Sequence, residues 1–342
     1  MKLHKVAAVA AVAGLVAVPA ANASTLDEVK ERGSLNCGIN TGLTGFAFTD
    51  EDGNWQGFDV ALCKAVAAAI FGDPDAVEYT SLTGKTRFTA LASGEIDMLS
   101  RNTTWTLSRD VDLKLDFQGV NYYDGQGFMV PSSLGVTSAL ELDGATVCIQ
   151  TGTTTELNLA DFFRANNMSY EPVPIETNAE AQQKYLAEAC DVYTTDASGL
   201  AATRASFEAP GDHIILPEIV SKEPLGPVTR HGDSDWSDVV RWTLNALIIA
   251  EEKGITKDNV EELAATPGDQ LDPEVARILG VEGNYGEMLG LPADWAVKAI
   301  GTSGNYAEIF DTYLGPDTAI GLERGLNALY TNGGILYAPP FR

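Results

Sequence analysis

Beyond residue 23 the chain alternates short apolar runs of strand length with longer runs of helix length. Residues 34–39 read as a strand, 59–71 as an apolar helix closed by Gly72-Asp73-Pro74, 77–82 as a strand, 85–92 as a helix and 96–99 as a short strand. A helix over 26–32 precedes them, with Thr25 as its cap, Asp27 and Glu28 in its first turn and Gly33 at its end. The pattern restarts after Met129-Val130-Pro131, giving strands at 145–150, 170–175 and 192–195 and helices at 155–165, 179–189 and 198–207. Such alternation predicts parallel sheets covered by helices, an α/β class, and two series of it predict two lobes. Residues 218–230, with Pro224 and Pro227, read as an extended return from the second lobe, and a helix over 236–252 packs back on the first. Two extended crossings, near 126–131 and 222–228, are expected to form a hinge. The expected division is a leader at 1–23, a first lobe of 24–127 and 227–342, and a second lobe of 128–226. From Thr256 onward the chain is helical and rich in Gly and Pro, and it is expected to wrap the first lobe.

The first residues set the compartment. Lys2 and Lys5 precede an apolar run over 6–18, and Pro19 leads into Ala21-Asn22-Ala23, a small-x-small signal for export and cleavage before Ser24. That run is short of the ~20 residues that span a bilayer. A periplasmic mature chain follows. The formal net charge of -26 for the full sequence counts the leader lysines, so the mature chain is more acidic still. An acidic surface of this size repels nucleic acid and anionic headgroups. The sign of the surface does not set the sign of a pocket.

Cys37, Cys63, Cys148 and Cys190 are an even set in an exported chain, which favours disulfides. No CxxC occurs, and only His213 and His231 lie beyond the leader, so no metal or other cofactor is expected. Four cysteines allow three pairings. Cys37 and Cys63 lie in the first α/β series, Cys148 and Cys190 in the second, so the expected bonds are Cys37–Cys63 and Cys148–Cys190, one per lobe. Each contributes about 3 kcal/mol in the loop-entropy account.

Candidate chemistry gathers where strands give way to helices, the usual ligand position in open α/β sheets. Residues 97–109 run from a strand into a polar stretch that ends at Arg109, whose planar guanidinium suits a carboxylate. The Thr104 hydroxyl and the Asn102 carbonyl can accept from an ammonium. Thr154 opens a helix whose free N–H groups suit an anion, and Asp196 stands at the mouth of another strand. A fixed cation at one end and an anion at the other is what a free amino acid requires.

These stretches carry a resemblance. GFDVAL (57–62), RFTALASGEID (87–97), RNTTWT (101–106), GTTTELNLAD (152–161) and GLNAL (325–329) are similar to the periplasmic amino-acid-binding proteins of ABC importers, most of all their general L-amino-acid-binding branch. The resemblance implies a type II two-lobed binding protein, monomeric, with a hinge and a C-terminal extension. It places Arg109 and Thr154 on the ligand α-carboxylate and Asn102, Thr104 and Asp196 on the α-ammonium. Phe46 or Phe48 stands where the family has an aromatic wall. Arg87 matches an Arg that reaches the side-chain carboxylate in the glutamate/aspartate branch, favouring Glu, Asp, Gln or Asn. Permease subunits of the importer are the implied partner. Two rivals share the scaffold: a cyclohexadienyl dehydratase-like enzyme, for which Glu156 is the available acid, and a ligand-sensing receptor domain.

Overall fold

The computed structural model describes residues 24–342; the expected leader, 1–23, lies outside the described residues. The first series comprises α1 (Thr25–Arg32), β1 (Leu35–Asn40), a β2–β3 hairpin (Phe48–Thr49 and Trp55–Gln56), α2 (Phe58–Phe71), β4 (Val77–Leu82), α3 (Arg87–Ser93), β5 (Met98–Leu99) and β6 (Leu115–Phe117). A crossing strand, β7 (Tyr122–Asp124), leads to β8 (Gln126–Pro131), β9 (Ala145–Gln150), α4 (Thr154–Ala165), β10 (Tyr170–Ile175), α5 (Asn178–Leu186), β11 (Val192–Asp196), α6 (Ala197–Ala205) and β12 (His213–Ile215). The chain returns through β13 (Glu223–Leu225) to β14 (Val228–Arg230) and α7 (Ser234–Glu252).

Two five-stranded sheets result, ordered β4-β1-β5-β14-β6 and β10-β9-β11-β8-β12. They are mixed, not purely parallel as the alternation predicts. β1 is parallel to β4 and β5, and β9 to β10 and β11, because α-helical crossovers join those strands. β14 and β8 enter their sheets directly from the crossing, with no helix between, and pair antiparallel with β5 and β11. The crossing itself is the antiparallel pair β7–β13, registered Tyr122↔Leu225 and Asp124↔Glu223. The first expected crossing is therefore displaced: residues 126–131 form β8, inside the second sheet, and the chain has already crossed at Tyr122–Asp124. Gln126 and Gly127, on the first-lobe side of the expected boundary, belong to that second sheet.

Local chemistry accounts for the element ends. Ser24, not Thr25, caps α1, its Oγ accepting from the Asp27 N–H at 3.2 Å. Thr25 is already helical, and its hydroxyl accepts from Arg230 at 3.0 Å. α2 is buried on almost every face, as its unbroken apolar composition demands, between the first sheet, α7 and the C-terminal region. The cysteines pair as expected, Cys37 of β1 with Cys63 of α2 and Cys148 of β9 with Cys190 before β11.

The C-terminal region carries α8 (Val260–Ala264), α9 (Pro273–Ile278), α10 (Tyr285–Met288), α11 (Trp295–Ser303) and α12 (Tyr306–Tyr313). α11 lies on α2 and α7, and α12 on α7. Phe341, next to the last residue, sits among Trp242, Tyr285 and Trp295. The region also reaches the crossing: Asn327 accepts from the Tyr123 N–H at 2.7 Å and donates to its carbonyl at 3.1 Å. Among the described residues no helix is long and apolar enough to cross a membrane.

Candidate functional site

The two lobes meet across a cleft whose floor is the β7–β13 crossing. Lys85 of the first lobe pairs with Glu176 of the second at 2.9 Å. Asn178, in the first turn of α5, donates to Asn40 Oδ1 and to the Gly42 carbonyl, each at 3.0 Å. Gly84 comes so close to the second lobe that a Cβ there would lie 2.8 Å from the Thr151 carbonyl. The described form is closed.

Three arginines enter this cleft from the first lobe, all buried. Arg109 rides a single π-helical turn, Ser108–Asp112, which folds its guanidinium back so that Nη1 donates to the Thr104 carbonyl at 2.8 Å. Arg87, the first residue of α3, donates to Thr103 Oγ1 at 3.3 Å, and its Nε has no partner. Arg101 donates to the Leu82 carbonyl at 2.8 Å and leaves Nη2 unpartnered. Phe88 lies between two of them, 4.7 Å from the Arg87 guanidinium carbon and 5.1 Å from that of Arg109. Burial depresses all three. Arg101 and Arg109 fall to about 10, and Arg87 goes well below its ordinary value with added repulsion from the other two.

Carboxylates face them. Asp196 ends β11 and precedes α6, fully buried. Burial, then Asp124 and Glu223, push its carboxyl well above the usual range, while Arg87 and Arg109 pull it back. Asp124, in β7, is raised to about 6, chiefly by burial, although Ser198 and the Gly125 N–H donate to it. Beneath the cleft Asp59 is raised to about 7 by burial and accepts the Asn102 N–H at 3.0 Å. That bond, with the Asn40 amide donating to Asn102 Oδ1 at 3.1 Å, holds Asn102 at φ +27°.

Between the lobes stand Thr104 and Thr154, their Oγ1 atoms 3.3 Å apart. Both donate to Glu223 Oε2 of β13, at 2.5 and 2.9 Å. Thr154 is the first residue of α4, so its N–H has no partner within the helix. Outside these groups the cleft opens into a cavity of about 690 Å³ bounded by Gly84, Phe88, Arg109, Thr154, Asn158 and Asp161. A separate cavity of about 840 Å³, between α2 and the C-terminal helices, shares no residue with it.

The structure thus brings Arg87, Asn102, Thr104, Arg109, Thr154 and Asp196 to one place. Phe46 and Phe48 do not join them. Phe46 is buried edge-on against Phe58 and Tyr122 in the first-lobe core, and Phe48 lies against Tyr313 of α12. The aromatic at the arginines is Phe88. Glu156 accepts the Gly152 N–H at 3.0 Å and so closes the turn before α4. Sequence reasoning missed Phe88, Arg101 and Glu223. The signal for Phe88 was its place beside Arg87; Glu223 gave none, standing in a stretch read only as an extended return.

Two α/β lobes on a two-stranded crossing, closed on a cleft of opposed charges, have the architecture of a two-lobed solute-binding protein. The chain belongs to the bacterial extracellular solute-binding proteins, family 3, whose model matches residues 35–316. It is 64% identical over 332 residues, 97% of each chain, to the glutamate/glutamine/aspartate/asparagine-binding protein BztA of Rhodobacter capsulatus. It is 56% identical over 338 residues, 98% of each, to the general L-amino acid-binding periplasmic protein AapJ of Rhizobium johnstonii. A periplasmic binding protein of an ABC transporter from Brucella ovis, solved with glutathione bound, superposes with a TM-score of 0.90 at 54% identity, covering 94% of this chain and 100% of that one. These relatives are named as binding proteins.

Proposed function

We propose that this protein, exported and cleaved before Ser24, works as a periplasmic monomer that captures a broad range of free L-amino acids, favouring those with acid or amide side chains, and delivers them to the membrane subunits of an ABC importer. One observation carries the reading: buried arginines and the buried carboxylate of Asp196 oppose one another in a single closed cleft. Arg109 and the Thr154 N–H take the α-carboxylate. Asp196, the Thr104 hydroxyl and the Asn102 carbonyl take the α-ammonium. Arg87, with a donor unspent, takes a side-chain carboxylate or amide oxygen.

Binding then drives closure through contacts that exist only when both lobes touch the ligand, Arg109 and Thr104 from one side and Thr154 and Asp196 from the other. Several charge-assisted bonds of about 1.5–3 kcal/mol each, less the ordering costs, are enough for micromolar affinity. No bond is made or broken, and the carboxylate best placed to be an acid by sequence, Glu156, is spent on its own turn. Calorimetric titration with the twenty amino acids tests the proposal. Glutamate, aspartate, glutamine and asparagine bind, and Arg109→Ala weakens each by at least about thirtyfold (~2 kcal/mol). A protein that binds only sugars, or an Arg109→Ala variant with unchanged affinities, contradicts it.

The cavity of about 690 Å³ outside Arg109 favours a second class of ligand. A γ-glutamyl peptide presents the same amino-acid head group and needs room for the rest, and the Brucella ovis relative holds such a molecule, glutathione. Competition between glutathione and glutamate for one site supports this reading; no glutathione binding at millimolar concentration removes it.

A further inference from the structure

We propose that Glu223 sets the hydrogen-bonding polarity of the cleft and latches it shut, fixing the Thr104 and Thr154 hydroxyls as acceptors so that the junction of the lobes reads an ammonium. The inference rests on the amino-acid reading above and assigns it a residue that touches no ligand group.

Glu223 is buried to 1% exposure, and its carboxylate takes four donors. Thr104 Oγ1 and Thr154 Oγ1 give their protons to Oε2 at 2.5 and 2.9 Å. Asn158 Nδ2 and Ser221 Oγ give theirs to Oε1 at 2.7 and 2.6 Å. A hydroxyl has one proton and a carboxylate has none to return. Both threonine hydroxyls therefore offer the cleft only lone pairs, and their mutual 3.3 Å approach is not a hydrogen bond. They suit a ligand ammonium. They cannot donate to a ligand carboxylate, which leaves the Thr154 backbone N–H as that residue's contribution to the carboxylate.

The same bonds tie three parts of the molecule. β13, which carries Glu223, is bonded to the first lobe: the Trp105 N–H donates to the Pro224 carbonyl at 2.8 Å and the Gly226 N–H to the Thr103 carbonyl at 3.0 Å. Thr154 and Asn158 belong to α4 of the second lobe. Opening the cleft breaks their bonds to Glu223, so those bonds stabilise only the closed form and add to what the ligand gains by closure.

Glu223→Gln keeps the shape and replaces one acceptor oxygen with a donor. Whichever way the amide turns, either the threonine pair or the Asn158–Ser221 pair faces an NH2 group. The expected result is a Kd for L-glutamate raised at least about tenfold, carried by faster dissociation, because charge-assisted bonds of the closed form are lost. Competition with glutarate, which lacks the ammonium, reads the polarity: the preference for glutamate over glutarate falls in the variant. An unchanged Kd, or equal weakening of glutamate and glutarate, overturns the inference. Asn158→Ala, on the partly exposed face of α4, breaks the latch from the other side and covers a Glu223→Gln chain that fails to fold. Its glutamate dissociation quickens with association unchanged; an unchanged dissociation rate overturns the latch. A wild-type protein that binds no amino acid contradicts the reading beneath the inference, whereas tight wild-type binding with an indifferent Glu223 contradicts the inference alone.

Discussion

Arg87 keeps its Nε unpartnered in a site from which solvent is excluded, beside two other buried guanidiniums. Such a group costs solvation and repulsion that only an anionic or carbonyl oxygen offsets. Arg87→Ala therefore weakens L-glutamate by at least about tenfold (~1.4 kcal/mol) more than L-leucine, as read by calorimetry. Equal losses place Arg87 outside the side-chain subsite. Asp196 gives a pH signature. Its carboxyl is raised by burial and by Asp124 and Glu223, and a bound ammonium favours its ionised form. As the pH falls through that raised value the free site protonates, binding must expel the proton, and affinity drops at a pH where an ordinary carboxylate is still ionised. Asp196→Asn flattens that dependence; a pH profile of Kd that is the same in wild type and Asp196→Asn removes Asp196 from the ammonium site. The sign for unfolding is the reverse. Asp59 and Asp124, raised to about 7 and about 6, make the folded chain the stronger proton binder, so unliganded stability gains from them as the pH falls through those values. At this scale the charged chemistry was legible: Arg109 closes the polar stretch that follows β5 and Asp196 ends β11, and side-chain type alone names the groups each could pair with. Glu223 was not. Its role comes from four donors on three stretches of chain, Thr104, Thr154 and Asn158 of α4, and Ser221 beside it, and no spacing in the sequence encodes that convergence.

The strands and helices of both series fall close to where the apolar pattern puts them, and several have clear stops, such as Gly33 after α1, Gly72 after α2 and the Thr153 and Thr177 caps of α4 and α5. Direction is less visible. Whether β8 and β14 run parallel or antiparallel depends on how the chain arrives, and the apolar run QGFMVP reads the same either way. The first crossing was misplaced for the same reason: Tyr122–Asp124 is short and half polar, while the longer run behind it looked like the connector. The crossing depends on two glycines. A Cβ on Gly226 would stand 1.9 Å from the Gly119 carbonyl, a backbone atom that cannot swing aside. Gly226→Ala thus costs about 1–3 kcal/mol and lowers the melting temperature of the unliganded protein. An unchanged melting temperature contradicts this close approach.

For the whole molecule, an acidic surface encloses a cleft rich in arginine, so the exterior charge says little about the ligand. The C-terminal region packs on the first lobe and reaches the crossing through Asn327 and Tyr123, which ties β7 to that lobe. In the proposed cycle closure carries the function: the second lobe brings Thr154 and Asp196 to groups on the first, and a ligand that satisfies both sets holds the lobes together. A crystal structure of the protein with L-glutamate tests this most directly. The α-carboxylate is expected on the Arg109 guanidinium and the Thr154 N–H, with the ammonium on Asp196 and Thr104. Glutamate bound with its ammonium away from Asp196, or seated outside the cleft between the lobes, would contradict it.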